Sequence, residues 1–324
     1  TDAVSGLSAN RFKVIFNLNV TNAPACNILR KTFTYCPYVC IIIVRRNFMH
    51  DSHVHSIFSD DGMEAVEDVV ATALSRGCDY VAITDHVNRD YQVIGYDNPQ
   101  INMSAYVAAM QDFKRRFNKK NFRLAMGAEL GYLKSANNLY IKDLADIDFD
   151  VIINSVHCVL GSEVYYAEYF NKCPYKHFAY LEYLKAVRES VDAPYPYDII
   201  GHIGYIQRNA PYKEPDMFYE EFSDVFDDIL TAIIEKDKCL EVNSKTYRGG
   251  KTTSEFSLRH LSIPDVDVLK RYYELCGRKI SFGSDAHRTN SIAYNYDKIA
   301  AAMKEIGFEG FTRYVNREPE LVKF

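Results

Sequence analysis

Among the eight cysteines there is no CxxC pair, which removes the zinc-knuckle and dithiol redox motifs. Cys78, Cys158, Cys173, Cys239 and Cys276 stand singly, four of them in or beside apolar runs, and read as buried thiols of a reducing compartment. No apolar run reaches the roughly 20 residues that a membrane helix needs; CPYVCIIIV at 36–44 is too short, and no small-residue cleavage site follows it. A basic stripe is missing as well. The formal net charge is −5, and since residues 1–48 carry six Lys or Arg against the single acid Asp2, the remainder stands at −10. Such a body is poorly suited to gripping a nucleic-acid backbone. No glycine-rich phosphate loop follows the first strand, which weighs against an open doubly wound sheet. Internal repeats and low-complexity tracts are absent too. What remains is expected to be a soluble cytoplasmic protein with no nucleic-acid or membrane partner.

What is present suits that class. The 324 residues, 48% apolar and 25% charged, suffice for a substantial core. Residues 1–48 show no clear helical or strand period, and are expected to be a leader or disordered extension; the working domain is expected over 49–324. From there short apolar runs alternate with amphipathic segments. The opening stretch is followed by DYVAITDH (79–86), FRLAMGAELGY (122–132), DVIINSVHCV (150–159), YDIIGHIGY (197–205), CLEVNS (239–244) and RKISFGSDAH (278–287). Between them, Met63, Val66, Val70 and Leu74 mark one helical face with Gly77 as its stop, and Phe218, Phe222, Val225, Ile229 and Ile233 mark another. Seven strand–helix units without alternating polarity in the strands predict parallel strands buried on both faces, hence an α/β, TIM-like (β/α)7 barrel, distorted from the usual eight. The aromatic-rich connection at 159–178 is long enough to predict a functional loop.

Metal-capable side chains recur at the strand ends. His53 and His55 close the first strand, His86 the second, Glu129 the third, His157 the fourth, His202 the fifth, and Asp285 with His287 the seventh. Barrel active sites assemble at this end, so six of the nine histidines are aimed at one place. Residues two apart on a strand leave the same face, which lets His53 and His55 share an ion. Imidazole with carboxylate suits zinc, manganese or iron rather than an all-oxygen ion. Each residue singly has a structural alternative: Glu129 as a cap, Asp61 as the start of the turn at Gly62. Recurrence at equivalent positions argues against those alternatives. His50, His177 and His260 have no such placement and read as structural.

The series DSHVHSIFSDDG, AITDH, GAELGY, NSVHCV, GHIGYIQR, EVNSKTYRGG and SFGSDAH, in that order, resembles the PHP (polymerase and histidinol phosphatase) family over about residues 49–315, most closely its histidinol-phosphatase branch. The resemblance implies a distorted seven-stranded barrel holding two to three divalent ions. The first would take His53, His55, Glu129 and Asp285; the second Glu129 as a bridge with His157 and His202; the third Asp61, His86 and His287. Some family members carry histidine where this chain has Asp61. The implied activity is hydrolysis of a phosphomonoester, foremost histidinol phosphate in histidine biosynthesis, with the ions activating water and holding phosphoryl oxygens. Asp285, His287 or a metal-held water would protonate the leaving group. Arg208 and Arg248 match phosphate-contacting positions of that branch, their alternative being an ordinary surface ion pair. Nucleotide, oligonucleotide or phosphotyrosine esters use the same chemistry. Amidohydrolases also begin with HxH but carry a bridging lysine where His157 stands, and a non-catalytic PHP module would have lost ligands, none of which is missing here.

Overall fold

The computed structural model describes residues 49–91, 100–244 and 261–324. The expected leader at 1–48, Arg248 and His260 lie outside the described residues. In chain order the elements are β1 (Met49–Val54), α1 (Val66–Ser75), β2 (Cys78–Ile83), β3 (His86–Val87), α2 (Met103–Phe117), β4 (Arg123–Gly131), α3 (Asn137–Leu144), β5 (Val151–Ser155), β6 (Cys158–Val159), β7 (Ser162–Glu163), α4 (Ala167–Lys172), α5 (Lys176–Val191), β8 (Ile199–Ile200), α6 (Ser223–Glu235), β9 (Cys239–Asn243), α7 (Val266–Glu274), β10 (Ile280–Gly283), α8 (Tyr296–Ile306), β11 (Gly310–Val315) and β12 (Glu318–Lys323).

Seven strands follow one another in the order β1-β2-β4-β5-β8-β9-β10, each pair parallel. The last meets the first: Asp285 N–H donates to the His53 carbonyl at 2.8 Å and His55 N–H to the Ala286 carbonyl at 2.9 Å. The sheet is thus a nearly closed seven-stranded barrel, as the repeating pattern predicts. Strands β5, β9 and β10 are buried at every position, which explains their continuous apolar sequence. The interior holds a small cluster including Tyr80, Ala125, Ile153, Ile199 and Tyr314. Most of the core lies outside it, between the strands and the surrounding helices.

Some expectations are corrected. The buried face of α1 is Val66, Val69, Val70 and Ala73, whereas Met63 precedes the helix and Leu74 is 49% exposed. The sequence spacing placed Leu74 one position off the face because a 10-residue helix lying flat on a sheet buries a stripe centred on 66, 70 and 73. Gly77 does end the segment, with φ +86. In α6 the buried residues are Phe226, Ile229, Leu230, Ala232 and Ile233, and Val225 is only partly covered. Cys276 is exposed while the other four described cysteines are buried. The connection after β5 is not structureless, since it forms the β6–β7 hairpin and α4.

The β11–β12 hairpin has no counterpart in the sequence reading. Its Tyr314 enters the barrel cluster, Arg317 Nε donates to Asp198 Oδ2 at 2.5 Å, and Arg313 Nη1 donates to Asp79 Oδ2 at 2.9 Å. Asp79 and Asp198 stand at the starts of β2 and β8, so the hairpin covers the end of the barrel opposite the strand termini that carry the histidines.

Candidate metal centre

All nine candidate ligands converge at the C-terminal ends of the barrel strands, where donor atoms of His53, His55 and Asp285, of His86, Glu129 and His157, and of His55, Asp61, His86 and His287 come within 4.8 Å of one another group by group. Glu129, fully buried on β4, is the hub. Its Oε1 lies 2.8 Å from His202 Nε2 and 3.3 Å from His157 Nε2. Its Oε2 lies 3.4 Å from both His53 Nε2 and His55 Nε2. Asp285 Oδ1 completes the first set at 3.2 Å from His55 Nε2. At the rim, Asp61 Oδ2 is 2.8 Å from His287 Nε2 and Asp61 Oδ1 is 3.6 Å from His86 Nε2.

Local structure explains the convergence. His53 and His55 alternate along extended chain. Asp285 lies beyond β10 at φ +52, so it reaches His287 through a left-handed turn rather than through strand alternation, and His287 Nδ1 bonds the Asp285 carbonyl at 2.9 Å. Asp61 returns to the cluster on a turn so tight that a Cβ at Gly62 would sit 1.7 Å from the Ser56 carbonyl oxygen.

The donor set fits divalent cations. His53 Nδ1 donates to Glu241 Oε1 at 2.7 Å. Ser59 spends its one hydroxyl proton on Asp85 Oδ1 at 2.7 Å and accepts from His86 N–H at 2.9 Å, leaving a lone pair for His55 Nδ1 at 3.1 Å. Both outer nitrogens therefore carry the proton when the rings are neutral, and the two inner Nε2 lone pairs then face each other 3.1 Å apart unless a cation or a further proton lies between them. Beside them Glu129 Oε2 and His86 Nδ1 are 2.8 Å apart yet neither has a hydrogen bond of acceptable geometry. Acceptors crowded on acceptors are satisfied by a cation between them. Titration reflects the same crowding. Burial lowers the His53 pKa, but the Glu241 and Glu129 carboxylates outweigh it and raise it well above the usual value; for His55 burial, then His287 and His86, push it well below. Burial alone would raise Glu129, yet His53, His86 and His157 hold it well below the carboxylate range.

Two carboxylates that matter here escaped the sequence reading. Glu241 on β9 takes His53 Nδ1 on one oxygen and the His202 backbone N–H, at 2.6 Å, on the other. Its packing is close enough that a Cβ at Gly283 would lie 2.1 Å from Glu241 Oε1. The available signal was a lone acid in the otherwise apolar run CLEV. Asp85 accepts from the backbone and hydroxyl of both Ser56 and Ser59, and its sequence position between Thr84 and His86 gave no such hint. Glu241→Gln is expected to weaken metal affinity about 10- to 100-fold, as loss of a carboxylate behind a ligating imidazole does; competition titration with a chromophoric chelator measures it, and unchanged affinity would remove Glu241 from this role.

Arg208 is not the surface ion pair of its alternative reading. It is 6% exposed, with Nη1 donating to Asp285 Oδ2 at 2.7 Å and Nη2 to Asn243 Oδ1 at 3.0 Å. It lines a cavity of about 360 Å³ together with Glu129, His157, His202, Asp285 and His287. A wider groove of about 640 Å³ lies elsewhere; its charges are engaged with one another, as in Lys134–Glu189 and Arg188–Asp192, and it contains none of these histidines. His50 is buried at the other end of β1 among Tyr80, Tyr296 and Phe311, and His177 is exposed, in keeping with structural roles.

Known proteins resemble this chain. The PHP domain family matches residues 51–245. The histidinol-phosphatase of Lactococcus lactis subsp. lactis is 30% identical over 261 residues, covering 80% of this chain and 91% of that protein. A probable histidinol-phosphatase of Clostridium acetobutylicum is 26% identical over 263 residues, covering 79% and 92%. The crystal structure of the Lactococcus lactis histidinol phosphate phosphatase, complexed with zinc, L-histidinol and phosphate, superposes with a TM-score of 0.74 at 25% identity, over 84% of this chain and 98% of that one. With residues 51–245, most of its barrel, matched, the chain belongs to the PHP domain family.

Proposed function

We propose that this protein is a metal-dependent phosphomonoester hydrolase acting on histidinol phosphate. The observation that carries this reading is one cavity lined by the imidazoles of His86, His157, His202 and His287 and the carboxylates of Asp61, Glu129 and Asp285 beside a buried guanidinium, with His53 and His55 buried against the same cluster; the histidinol-phosphatase relatives name the substrate. His53, His55, Glu129 and Asp285 are assigned to one divalent ion, Glu129, His157 and His202 to a second, and Asp61, His86 and His287 to a third. Bound there, zinc, manganese or iron would supply Lewis acidity toward the phosphoryl oxygens and a lowered pKa for an attacking water.

The chain's own residues do the rest. Glu129 spans the two inner groups of imidazoles and fixes their spacing. Arg208, held by Asp285 and Asn243 and lying over the Tyr205 ring with 4.9 Å to its centroid, is the guanidinium assigned to phosphate, for which its planar donor fork is suited. Arg248 is assigned to the same phosphate on the family resemblance. Asp285 and His287, whose Oδ1 and Nδ1 are 3.5 Å apart at the cavity wall, are the pair assigned to return a proton to the leaving alkoxide.

The test is turnover by purified protein of a panel holding histidinol phosphate, nucleoside monophosphates and phosphotyrosine, with metal analysis of the same sample. Histidinol phosphate is expected to lead, chelation to abolish its hydrolysis, and Zn, Mn or Fe(II) to restore it. Full activity in metal-stripped protein, or preference for a nucleotide, overturns the assignment.

A further inference from the structure

Six of the seven barrel strands lead into metal-capable side chains, whereas β9 ends in an amide. Asn243 is its last residue and is fully buried. The backbone N–H and carbonyl of Asn243 are both engaged by Ile263, each at 2.9 Å, so its side chain leaves a fixed point. Its Nδ2 donates to Glu241 Oε1 at 3.1 Å, and its Oδ1 accepts from Arg208 Nη2 at 3.0 Å. The two neighbours decide which way the amide faces: turned over, it would set oxygen against carboxylate and NH2 against guanidinium. An amide serves both because it carries a donor and an acceptor on separate atoms with no charge of its own. A carboxylate at this position would repel Glu241, and a hydroxyl has one oxygen for two partners.

Those two partners belong to a larger circuit. Glu241 Oε1 also takes His53 Nδ1 at 2.7 Å. Arg208 Nη1 also donates to Asp285 Oδ2 at 2.7 Å, and Asp285 Oδ1 faces His55 Nε2 at 3.2 Å. His53 and His55 meet at 3.1 Å. The contacts thus run from His53 through Glu241, Asn243, Arg208 and Asp285 to His55 and close on themselves, with no member more than 6% exposed. Within this ring the guanidinium has two anchors of unlike kind. Asp285 supplies charge but is also a candidate ligand, so its hold on Arg208 slackens when it is shared with a cation. Asn243 has no competing duty toward a cation, and its hold does not depend on occupancy of the centre.

We propose that Asn243 is the positioning residue for Arg208, keeping the guanidinium in its phosphate-receiving orientation once the metal centre is loaded and Asp285 is engaged with an ion. The assignment rests on the reading of Arg208 as a phosphate-binding group and adds the residue that sets it in place.

Titration calorimetry of inorganic phosphate into the metal-loaded protein tests this without requiring turnover. Asn243→Ala is expected to weaken the phosphate Kd roughly 10-fold, the scale of a lost hydrogen bond to a charged group, with metal content by elemental analysis unchanged. Because the residue acts through the arginine, the double variant Asn243→Ala with Arg208→Met should bind phosphate no worse than Arg208→Met alone. The kcat/KM for histidinol phosphate should show the same non-additive pattern. An amide that only supports the fold would lower phosphate affinity equally in both backgrounds, or would lower metal content, and either result overturns the proposal. Unchanged phosphate affinity in Asn243→Ala overturns it too, as does unchanged affinity in Arg208→Met, since there is then no phosphate-binding arginine to position. Asn243→Ser, which keeps a single polar atom, carries the same test should the Ala variant not fold. Absence of wild-type turnover on histidinol phosphate, with the non-additive pattern in phosphate binding intact, is the failure of the substrate reading alone and leaves the role of Asn243 supported.

Discussion

Glu129→Gln is expected to cost roughly 10³-fold or more in kcat/KM for histidinol phosphate, together with most of the bound metal. The carboxylate reaches His202 and His157 with one oxygen and His53, His55 and His86 with the other, so no other residue touches as much of the cluster. Gln keeps the shape and removes the charge. Its amide NH2 would then confront imidazole lone pairs or a cation on whichever side it turned, while the other side kept a weaker, neutral acceptor. On the proposed reading, loss of a carboxylate that would hold metal for phosphoryl transfer is worth several kcal/mol of transition-state stabilisation, which sets the factor. Elemental analysis and kinetics on one preparation check it. Wild-type metal content with wild-type activity would show that Glu129 is merely a buried hydrogen-bonding group.

Arg208→Met is expected to lower kcat/KM by about 10- to 100-fold, the worth of a charge-assisted bond of roughly 1.5–3 kcal/mol to phosphate. Because the guanidinium also pairs with Asp285, the substitution removes one positive charge from beside that carboxylate. Metal content should therefore be retained or increase, the opposite sign to Glu129→Gln. A ligand variant such as His157→Ala should lose metal and activity together. If Arg208→Met keeps its kcat/KM, the arginine serves to orient Asp285 and does not touch phosphate; if it loses metal, its place is in the scaffold of the centre.

Much of this was legible in the sequence because ligands at strand ends recur with the period of the fold. Seven strand-like stretches without alternation predicted the parallel barrel, and the metal-capable residues closing six of them, with Asp61 on its turn, marked the side chains that converge. The signal failed where a contact depends on tertiary approach rather than on a position in the repeat. Glu241 lies in the middle of an apolar strand, and only the closeness of β9 to His53 gives it meaning. The β11–β12 hairpin follows the last repeat, so periodicity had nothing to say about the residues that close the far end. Arg208 was found by resemblance, but its burial comes from packing against Asp285, Asn243 and Tyr205, and no local pattern encodes that. Leu74 marks the limit of helical spacing: it has the right period and lies on the wrong side of the stripe.

The seam of the barrel is also where its chemistry is concentrated. Strand β1 meets the segment after β10 through two backbone bonds, and the residues making them are His53, His55, Asp285 and Ala286. Any ion held jointly by His53, His55 and Asp285 would span the first strand and the last, which in sequence are more than 200 positions apart and are also tied by Asp51, whose carboxylate accepts from the Ser284 and Ala293 N–H groups at 2.9 and 2.7 Å. Occupancy of the centre is then coupled to closure of the ring, and each increment in free metal adds to the stability of the closed form by mass action. The ion would behave as a clasp across the join.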